Sequence, residues 1–306
     1  MPIPEPRRVG TVDFRGWQTW YRVTGDLDAA KTPLVVLHGG PGAAHNYTLR
    51  IAGIAAQGRP VIHYDQLGIG NSTHLPDRGA DFWTVQLFLD ELDTVLDSLG
   101  VRDRYHLLGQ SWGGMLAAEY ALKYQQNLKG LVISNMMMSI PQYNDYAQKV
   151  IMPAMDQKAL AEIKQLEAAG KYEDPRYMEL LMPNHYTQHL LRMPPEQWPD
   201  PVNRTFKHVN PKIYVPMQGP SELGASGKLV NWDRTADLKN ITVPTLVIGA
   251  QYDTMDPKHM EWMSKQLPKG RYLFCPNGSH LAEYDDQQTF FRGLIAFLLD
   301  VDAGKA

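Results

Sequence analysis

The most constraining feature of the sequence is an alternation of short apolar runs with longer stretches that repeat apolar residues at helical spacing. Several of the apolar runs end directly at glycine-rich or polar loops. Apolar strands separated by helices are typical of a parallel sheet that is covered by helices on both faces. The predicted strands lie at residues 34–37, 60–64, 105–108, 131–134, 245–249 and 271–274, and the predicted helices at residues 82–99, 114–125, 257–267 and 287–299. The sequence therefore predicts an α/β fold with one mostly parallel sheet.

This rhythm stops between residues 139 and 233, where Met, Tyr, Pro, Gln and His are frequent and prolines punctuate the chain. Helical patches occur there, for example at residues 156–169, but no strand–helix repeat is evident. We therefore expect an α/β core formed by residues 1–138 and 234–306, interrupted by a mainly helical cap at residues 139–233.

The segment GQSWGG, which begins at Gly109, places Ser111 between a predicted strand and a predicted helix. The pattern G-x-S-x-G is typical of a nucleophilic serine held on a sharp strand-to-helix turn. Glycines suit such a turn because Cβ atoms at Gly109 and Gly113 would clash where the two backbones approach. A plain glycine turn is the alternative, and the flanking strand and helix favour the nucleophile.

A serine hydroxyl needs a base to take its proton, and the base needs a carboxylate that fixes its orientation. Among ten histidines, His280 is the best candidate, because it follows the last predicted strand in the polar loop PNGSH. Asp253 follows the strand at residues 245–249, in the chain order Ser, Asp, His that this motif uses. Asp256 is the alternative acid, but it precedes Pro257 and suits a helix N-cap better.

Acyl transfer also requires N–H donors for the negatively charged oxygen of the tetrahedral intermediate. One donor is expected to be the backbone N–H of Trp112, directly after the serine. The second is expected from the early loop HGGPG, where Gly40 can approach a ligand closely and Pro41 has no N–H to offer.

Composition limits the partners of the chain. The formal net charge of −3 over 306 residues gives no basic field for nucleic acid, and no apolar run is long enough to span a membrane. The single cysteine, Cys275, cannot form an internal disulfide, and its position near a strand end predicts a buried structural residue. The N-terminal residues lack the apolar stretch of a signal peptide, so we expect a cytoplasmic protein.

The motifs HGGPG, DQLGIGNS, GQSWGG, PTLVIGAQYDTMDP and GSH, in this order, resemble the proline iminopeptidase family of α/β-hydrolases. Within it, YRVTGD, GADFW and LLGQSWGGMLAAE are similar to the L-amino acid amidases. The resemblance implies the α/β-hydrolase fold and hydrolysis of the bond after an N-terminal residue, often proline, with no metal or other cofactor. It also implies that Glu222 binds the free amine and that Tyr214 lines the site, on the match of IYVPMQGPSEL. The expected partner is therefore a small molecule or short peptide with a free amine.

One departure from the family leaves the substrate open. Thr254 follows Asp253, where many relatives carry a second acidic residue, and fewer charges near the amine would weaken its binding. The main hypothesis is a serine aminopeptidase or amidase, and the alternative is an esterase or lactonase that acts on a small uncharged substrate. A ligand-binding protein without activity is the third hypothesis, which the complete Ser–Asp–His set disfavours. The sequence gives neither the preferred residue nor the oligomeric state.

Overall fold

An eight-stranded sheet forms the centre of the computed structural model, which describes residues 3–306. The strands are β1 (Arg8–Phe14), β2 (Trp17–Thr24), β3 (Leu34–Leu37), β4 (Val61–Tyr64), β5 (Tyr105–Gln110), β6 (Leu128–Ser134), β7 (Thr245–Ala250) and β8 (Gly270–Cys275). Their order across the sheet is β1-β2-β4-β3-β5-β6-β7-β8, and every pair from β4 to β8 is parallel. All six predicted strands are confirmed, and so is the mostly parallel sheet.

The first two strands were missed by the sequence interpretation. β1 and β2 form an antiparallel hairpin, and β2 continues antiparallel onto β4 at the edge of the sheet. Both strands alternate exposed and buried side chains, so neither shows the continuous apolar run that marks the central strands. Arg15 and Gly16 join them with φ angles of 56° and 83°, the pair of positive values that a tight hairpin turn requires.

Helices cover both faces of the sheet, at bounds close to those predicted for the core. In the core they are α1 (Val85–Ser98), α2 (Trp112–Tyr124), α9 (Pro257–Gln266), α10 (Ala282–Asp285) and α11 (Gln287–Asp302), with a 3₁₀ helix at His45–Gln57. The first starts later than predicted because Thr84 caps it by accepting a hydrogen bond from the N–H of Leu87. None of the helices within residues 3–306 has the length and apolar character needed to span a bilayer.

Two hydrophobic cores form because successive strand residues point to opposite faces. Val35, Leu107 and Val247 pack on one face, with side chains of α1, α2 and α9. Val36 and Leu108 pack on the other face, with α11 and the 3₁₀ helix at His45–Gln57. Both faces are thus dry, and the carboxyl ends of the parallel strands remain as the edge available for ligands.

The chain between β6 and β7 is helical. Within residues 3–306, no strand from this segment joins the sheet. It contains α3 (Ile140–Tyr146), α4 (Met152–Ala154), α5 (Gln157–Ala168), α6 (Pro175–Leu181), α7 (Asp200–Lys207), α8 (Pro211–Met217) and π-helical stretches at Ala147–Ile151 and Met182–Leu190. We propose that residues 139–233 are the cap, and its ends meet in support of this: Ser139 and Asp233 form an isolated antiparallel bridge. Met1 and Pro2, at the start of the proposed core, lie outside the described residues.

The core contains a buried acid whose titration should be measurable. Glu91 is fully buried, and Thr19 Oγ1 donates to its Oε1 at 2.6 Å. Burial raises the pKa of Glu91 to about 8, against the lowering effect of hydrogen bonds from Thr19 and from the backbone of Leu67. Between its ordinary pKa and about 8 the folded state therefore holds a proton that the unfolded state has lost.

Unfolding free energy should consequently fall as the pH rises through this window, by at most about 1.4 kcal/mol per pH unit from this group. We expect Glu91→Gln to remove that slope, so that its Tm relative to wild type increases from pH 5 to pH 8. Thermal unfolding across this range measures the effect, with Glu179→Gln, at an exposed acid, as the control. Parallel Tm curves for Glu91→Gln and wild type would contradict the expectation.

Candidate active site

Ser111 lies at the turn between β5 and α2, at the centre of the carboxyl edge of the sheet. Its backbone has φ 56° and ψ −128°, a conformation that L-residues rarely adopt. A Cβ on Gly109 would lie 1.9 Å from the carbonyl oxygen of Gly113, and a Cβ on Gly113 would lie 2.2 Å from that of Leu37. The two glycines are therefore sterically required, and the strained turn raises the serine to the edge of the sheet at the start of a helix.

A cavity of about 250 Å³ opens above this turn. Ser111, Gly40, His280, Glu222 and Tyr214 all line it, and most of its remaining wall is apolar or aromatic. Ser111 itself is only 7% exposed. The structure thus brings five of the seven residues predicted for the site to a single cavity.

Asp253 and His280 form a hydrogen-bonded pair at the ends of β7 and β8. The Nδ1 atom of His280 lies 2.7 Å from Oδ1 of Asp253, and both side chains are almost fully buried. Nε2 is therefore the nitrogen of His280 left for the serine. Asp256 instead accepts a hydrogen bond from the N–H of Lys258 at 2.9 Å and caps α9, so it is not the partner of this histidine.

The electrostatics of His280 suit a base that becomes charged during a reaction. Burial by itself lowers the pKa of the imidazole, but the charge of Asp253 and its hydrogen bond outweigh burial. Glu222 and Glu283 add to this effect, and the pKa of His280 is raised above its usual value. The surroundings therefore stabilise the imidazolium form.

Gly40 and Trp112, the predicted oxyanion donors, both lie close to Ser111. Together with Ser111 and Glu222 they line a second, much smaller cavity of about 10 Å³. Gly40 has a φ angle of 112°, which a side chain would strain. The indole of Trp112 points into the core, where its Nε1–H donates to Oε1 of Gln66 at 3.0 Å. The ring is therefore structural, and only the backbone N–H of Trp112 remains for a ligand.

Glu222 and Tyr214 contact each other in the wall of the cavity. The Tyr214 hydroxyl donates a hydrogen bond to Oε1 of Glu222. The backbone of Glu222 is held by the helical segment between β6 and β7, since its carbonyl accepts from the Tyr143 hydroxyl at 2.6 Å and lies 3.0 Å from Nε2 of His185. Burial raises the pKa of the Glu222 carboxyl, although His280 and the Tyr214 hydrogen bond oppose this effect.

Two further residues contact the Asp–His pair and were not singled out for this by the sequence. Asn135, directly after β6, donates from Nδ2 to Oδ2 of Asp253 at 2.7 Å. The hydroxyl of Thr254 lies 3.3 Å from Oδ1 of Asp253 and 3.4 Å from Nδ1 of His280. Thr254 is fully buried and lines neither cavity described above. Its side chain therefore contacts the Asp–His pair and does not face the space open to a ligand. The only sequence signal for Asn135 was its position at a strand end.

Cys275 is the buried last residue of β8, as expected from its position. Burial raises the pKa of its thiol, which disfavours the reactive thiolate. Within residues 3–306, no three side chains of His, Cys, Asp or Glu cluster in a way that could hold a metal ion.

The family model of the α/β-hydrolase fold matches residues 32–287. A proline iminopeptidase from Flavobacterium johnsoniae is 50% identical over 277 residues, which cover 90% of this chain and 92% of the relative. The chain belongs to the α/β-hydrolase fold family and, within it, to the proline iminopeptidases. It is a serine hydrolase, as the resemblance implied.

Two solved structures are similar to this protein over nearly the whole chain. The crystal structure of VinJ is 38% identical, with a TM-score of 0.92 and coverage of 97% of this chain and 100% of that one. The proline iminopeptidase of Mycobacterium smegmatis is also 38% identical, with a TM-score of 0.84 and coverage of 98% and 100%. The match therefore includes the helical segment between β6 and β7 as well as the sheet.

Proposed function

We propose that the protein hydrolyses the peptide or amide bond after a free N-terminal amino acid, through an acyl-enzyme on Ser111. Proline is the first candidate for that amino acid, because curated relatives are named proline iminopeptidases. The observation that carries the proposal is that Glu222 lines both cavities that Ser111 lines. A carboxylate at that place would pair with an ammonium group close to the scissile carbonyl.

In the acylation step, Ser111 Oγ adds to the carbonyl carbon of the first residue while its proton passes to Nε2 of His280. Asp253 holds Nδ1 of the histidine and stabilises the imidazolium. The carbonyl oxygen gains negative charge, to which the backbone N–H groups of Gly40 and Trp112 would donate. The C–N bond then breaks, His280 returns the proton to the leaving nitrogen, and an ester joins the acyl residue to Ser111.

In the deacylation step, water adds to this ester and gives a proton to His280. The ester C–O bond breaks, the proton returns to Ser111 Oγ, and the free amino acid leaves. The same groups act in both steps, so no further acid or base is required.

The surroundings of Glu222 suit recognition of an ammonium group. Burial raises the pKa of this carboxyl because its charge is poorly solvated, and a bound cation would restore the missing stabilisation. Tyr214 occupies Oε1 as a donor, which fixes the orientation of the carboxylate and leaves Oε2 for the amine. N-blocked substrates would bury Glu222 without a cation and should be rejected.

We expect Glu222→Gln to raise KM for free-amine substrates by about tenfold to a hundredfold, since it removes one charge-assisted hydrogen bond. KM for N-acetylated analogues should change little. Steady-state kinetics on prolyl p-nitroanilide and its N-acetyl form measure both values.

Glu173→Gln is the matched control, because Glu173 also lines the larger cavity but is exposed. It should leave KM for the free-amine substrate within about twofold of wild type, as expected for an exposed charge. Equal increases of KM for free and acetylated substrates in Glu222→Gln would show that Glu222 does not bind the substrate amine.

The curated relatives do not favour the esterase or lactonase alternative. Turnover should be compared across a panel of proline and other amino acid amides and p-nitroanilides, with N-acetylated controls and a simple ester. The panel distinguishes a preference for proline peptides from a preference for small L-amino acid amides. Fastest turnover of the ester or of an N-acetylated compound would overturn the aminopeptidase proposal. The cytoplasmic location stays a prediction.

A further inference from the structure

We propose that Asn135 is a positioning residue that holds the three loops of the Ser111–Asp253–His280 triad in their relative positions. The inference rests on the triad proposed above. It concerns a side chain that touches neither cavity and acts through Asp253 and the backbone beside His280.

The location of Asn135 follows from the strand order. β6 lies between β5, which carries Ser111, and β7, which precedes Asp253. At the end of β6 the carbonyl of Ser134 accepts a hydrogen bond from the N–H of Ser111 at 3.0 Å, and the N–H of Asn135 donates to the carbonyl of Ile248 in β7 at 2.8 Å. This dipeptide therefore ties the serine turn to the strand of the aspartate.

The side chain of Asn135 makes the remaining connections. Its Nδ2 donates to Oδ2 of Asp253 at 2.7 Å and to the carbonyl of Ser279, the residue before His280, at 3.2 Å. Its Oδ1 accepts from the hydroxyl of Ser134 at 2.8 Å. The amide is fully buried, and both its nitrogen and its oxygen are used. One amide group thus connects the loops of both members of the Asp–His pair.

The carboxylate of Asp253 depends on this contact. Oδ1 already contacts His280 Nδ1, Thr254 Oγ1 and the N–H of Met255, whereas Asn135 is the side chain that donates to Oδ2. Without that donor a buried carboxylate oxygen would lose its partner, which is costly for a charged group and would let the carboxylate rotate away from the imidazole.

The backbone of Asn135 adds a second constraint. Its φ angle is 52°, in the left-handed region that asparagine and glycine tolerate better than most residues. Asparagine is therefore suited both to the turn and to the donation. Glycine satisfies the turn alone, and aspartate keeps the shape but replaces the donor with a negatively charged oxygen.

The test compares Asn135→Gly and Asn135→Asp with wild type, by kcat, KM, Tm and the rate at which a fluorophosphonate inactivates the enzyme. In the inactivation, Ser111 Oγ displaces fluoride from phosphorus and its proton passes to His280. We expect Asn135→Gly to lower kcat and the inactivation rate together by about tenfold to a hundredfold. KM should stay within about threefold of wild type, because Glu222 is untouched.

Asn135→Asp should lower the same two rates, because its carboxyl group would face the Asp253 carboxylate and the Ser279 carbonyl, both of which accept a hydrogen bond from the wild-type amide. KM should again stay within about threefold of wild type. A purely structural role would lower Tm without this separation of kcat from KM. This variant keeps the inference testable if Asn135→Gly does not fold.

Asn71→Gly is the matched control, because Asn71 Nδ2 also donates to a buried aspartate, Asp65, at 3.0 Å, and Asn71 lines neither cavity. It should leave kcat and the inactivation rate within about twofold of wild type. The inference is overturned if Asn135→Gly keeps both rates within that range, or if Asn71→Gly loses as much as Asn135→Gly. Unchanged inactivation of Ser111→Ala would instead overturn the triad itself, whatever Asn135 does.

Discussion

Replacement of Ser111 by alanine is expected to lower kcat by about 10⁴-fold or more on the best substrate, because no other oxygen can form the acyl-enzyme. Tm should stay within about 3 °C of wild type, since only a hydroxyl is removed and the strained backbone is unchanged. Steady-state kinetics and thermal unfolding measure the two effects.

Ser264→Ala is the control for this change. Ser264 is also buried, but its hydroxyl donates to the carbonyl of Glu261 within α9 and lines neither cavity. It should keep near wild-type kcat. If Ser111→Ala retains wild-type turnover, the nucleophile has been assigned to the wrong residue.

Asp253→Asn is expected to have the second largest effect, a loss in kcat on the order of 10⁴-fold. The asparagine amide can donate to Nδ1 of His280, which moves the imidazole proton to Nε2 and removes the lone pair that must accept the serine proton. The imidazolium also loses the charge of Asp253. Because His280 acts as a base only when neutral, the acid limb of the residual activity should move to lower pH.

Asp256→Asn provides a close comparison for Asp253→Asn, three residues along the chain. Asparagine caps a helix as well as aspartate does, so the hydrogen bond to the N–H of Lys258 and the stability should both be kept. A larger kcat loss in Asp256→Asn than in Asp253→Asn would mean that Asp256, and not Asp253, is the catalytic partner of His280.

The sheet could be predicted from local sequence, and so could the place of the loops that carry the proposed triad. Each central strand is apolar throughout, and each predicted triad residue follows such a strand, so that parallel topology brings the loops to one edge. The choice of Asp253 over Asp256 also came from local chemistry, since proline at position 257 marks a helix start.

Features that depend on tertiary contacts could not be predicted in this way. β1 and β2 lack an apolar run because each has one exposed face, and they are recognisable only once they pair. The contact between Asn135 and Asp253 joins residues 118 positions apart, and no local pattern encodes it. Glu222 and Tyr214 were expected only from a short resemblance, and their shared hydrogen bond is a property of the folded cap segment.

The two ends of the proposed cap meet at Ser139 and Asp233. This has a consequence for how the cap can vary among related proteins. The bridge is formed by hydrogen bonds from the N–H of Ile140 to the carbonyl of Trp232 and from the N–H of Arg234 to that of Met138. A segment that leaves and rejoins the scaffold at one point can change length at a small entropic penalty. Substitutions and insertions between Ser139 and Asp233, or exchange of the whole segment, can therefore reshape the cavity above Ser111 while the ends of the parallel strands keep their spacing.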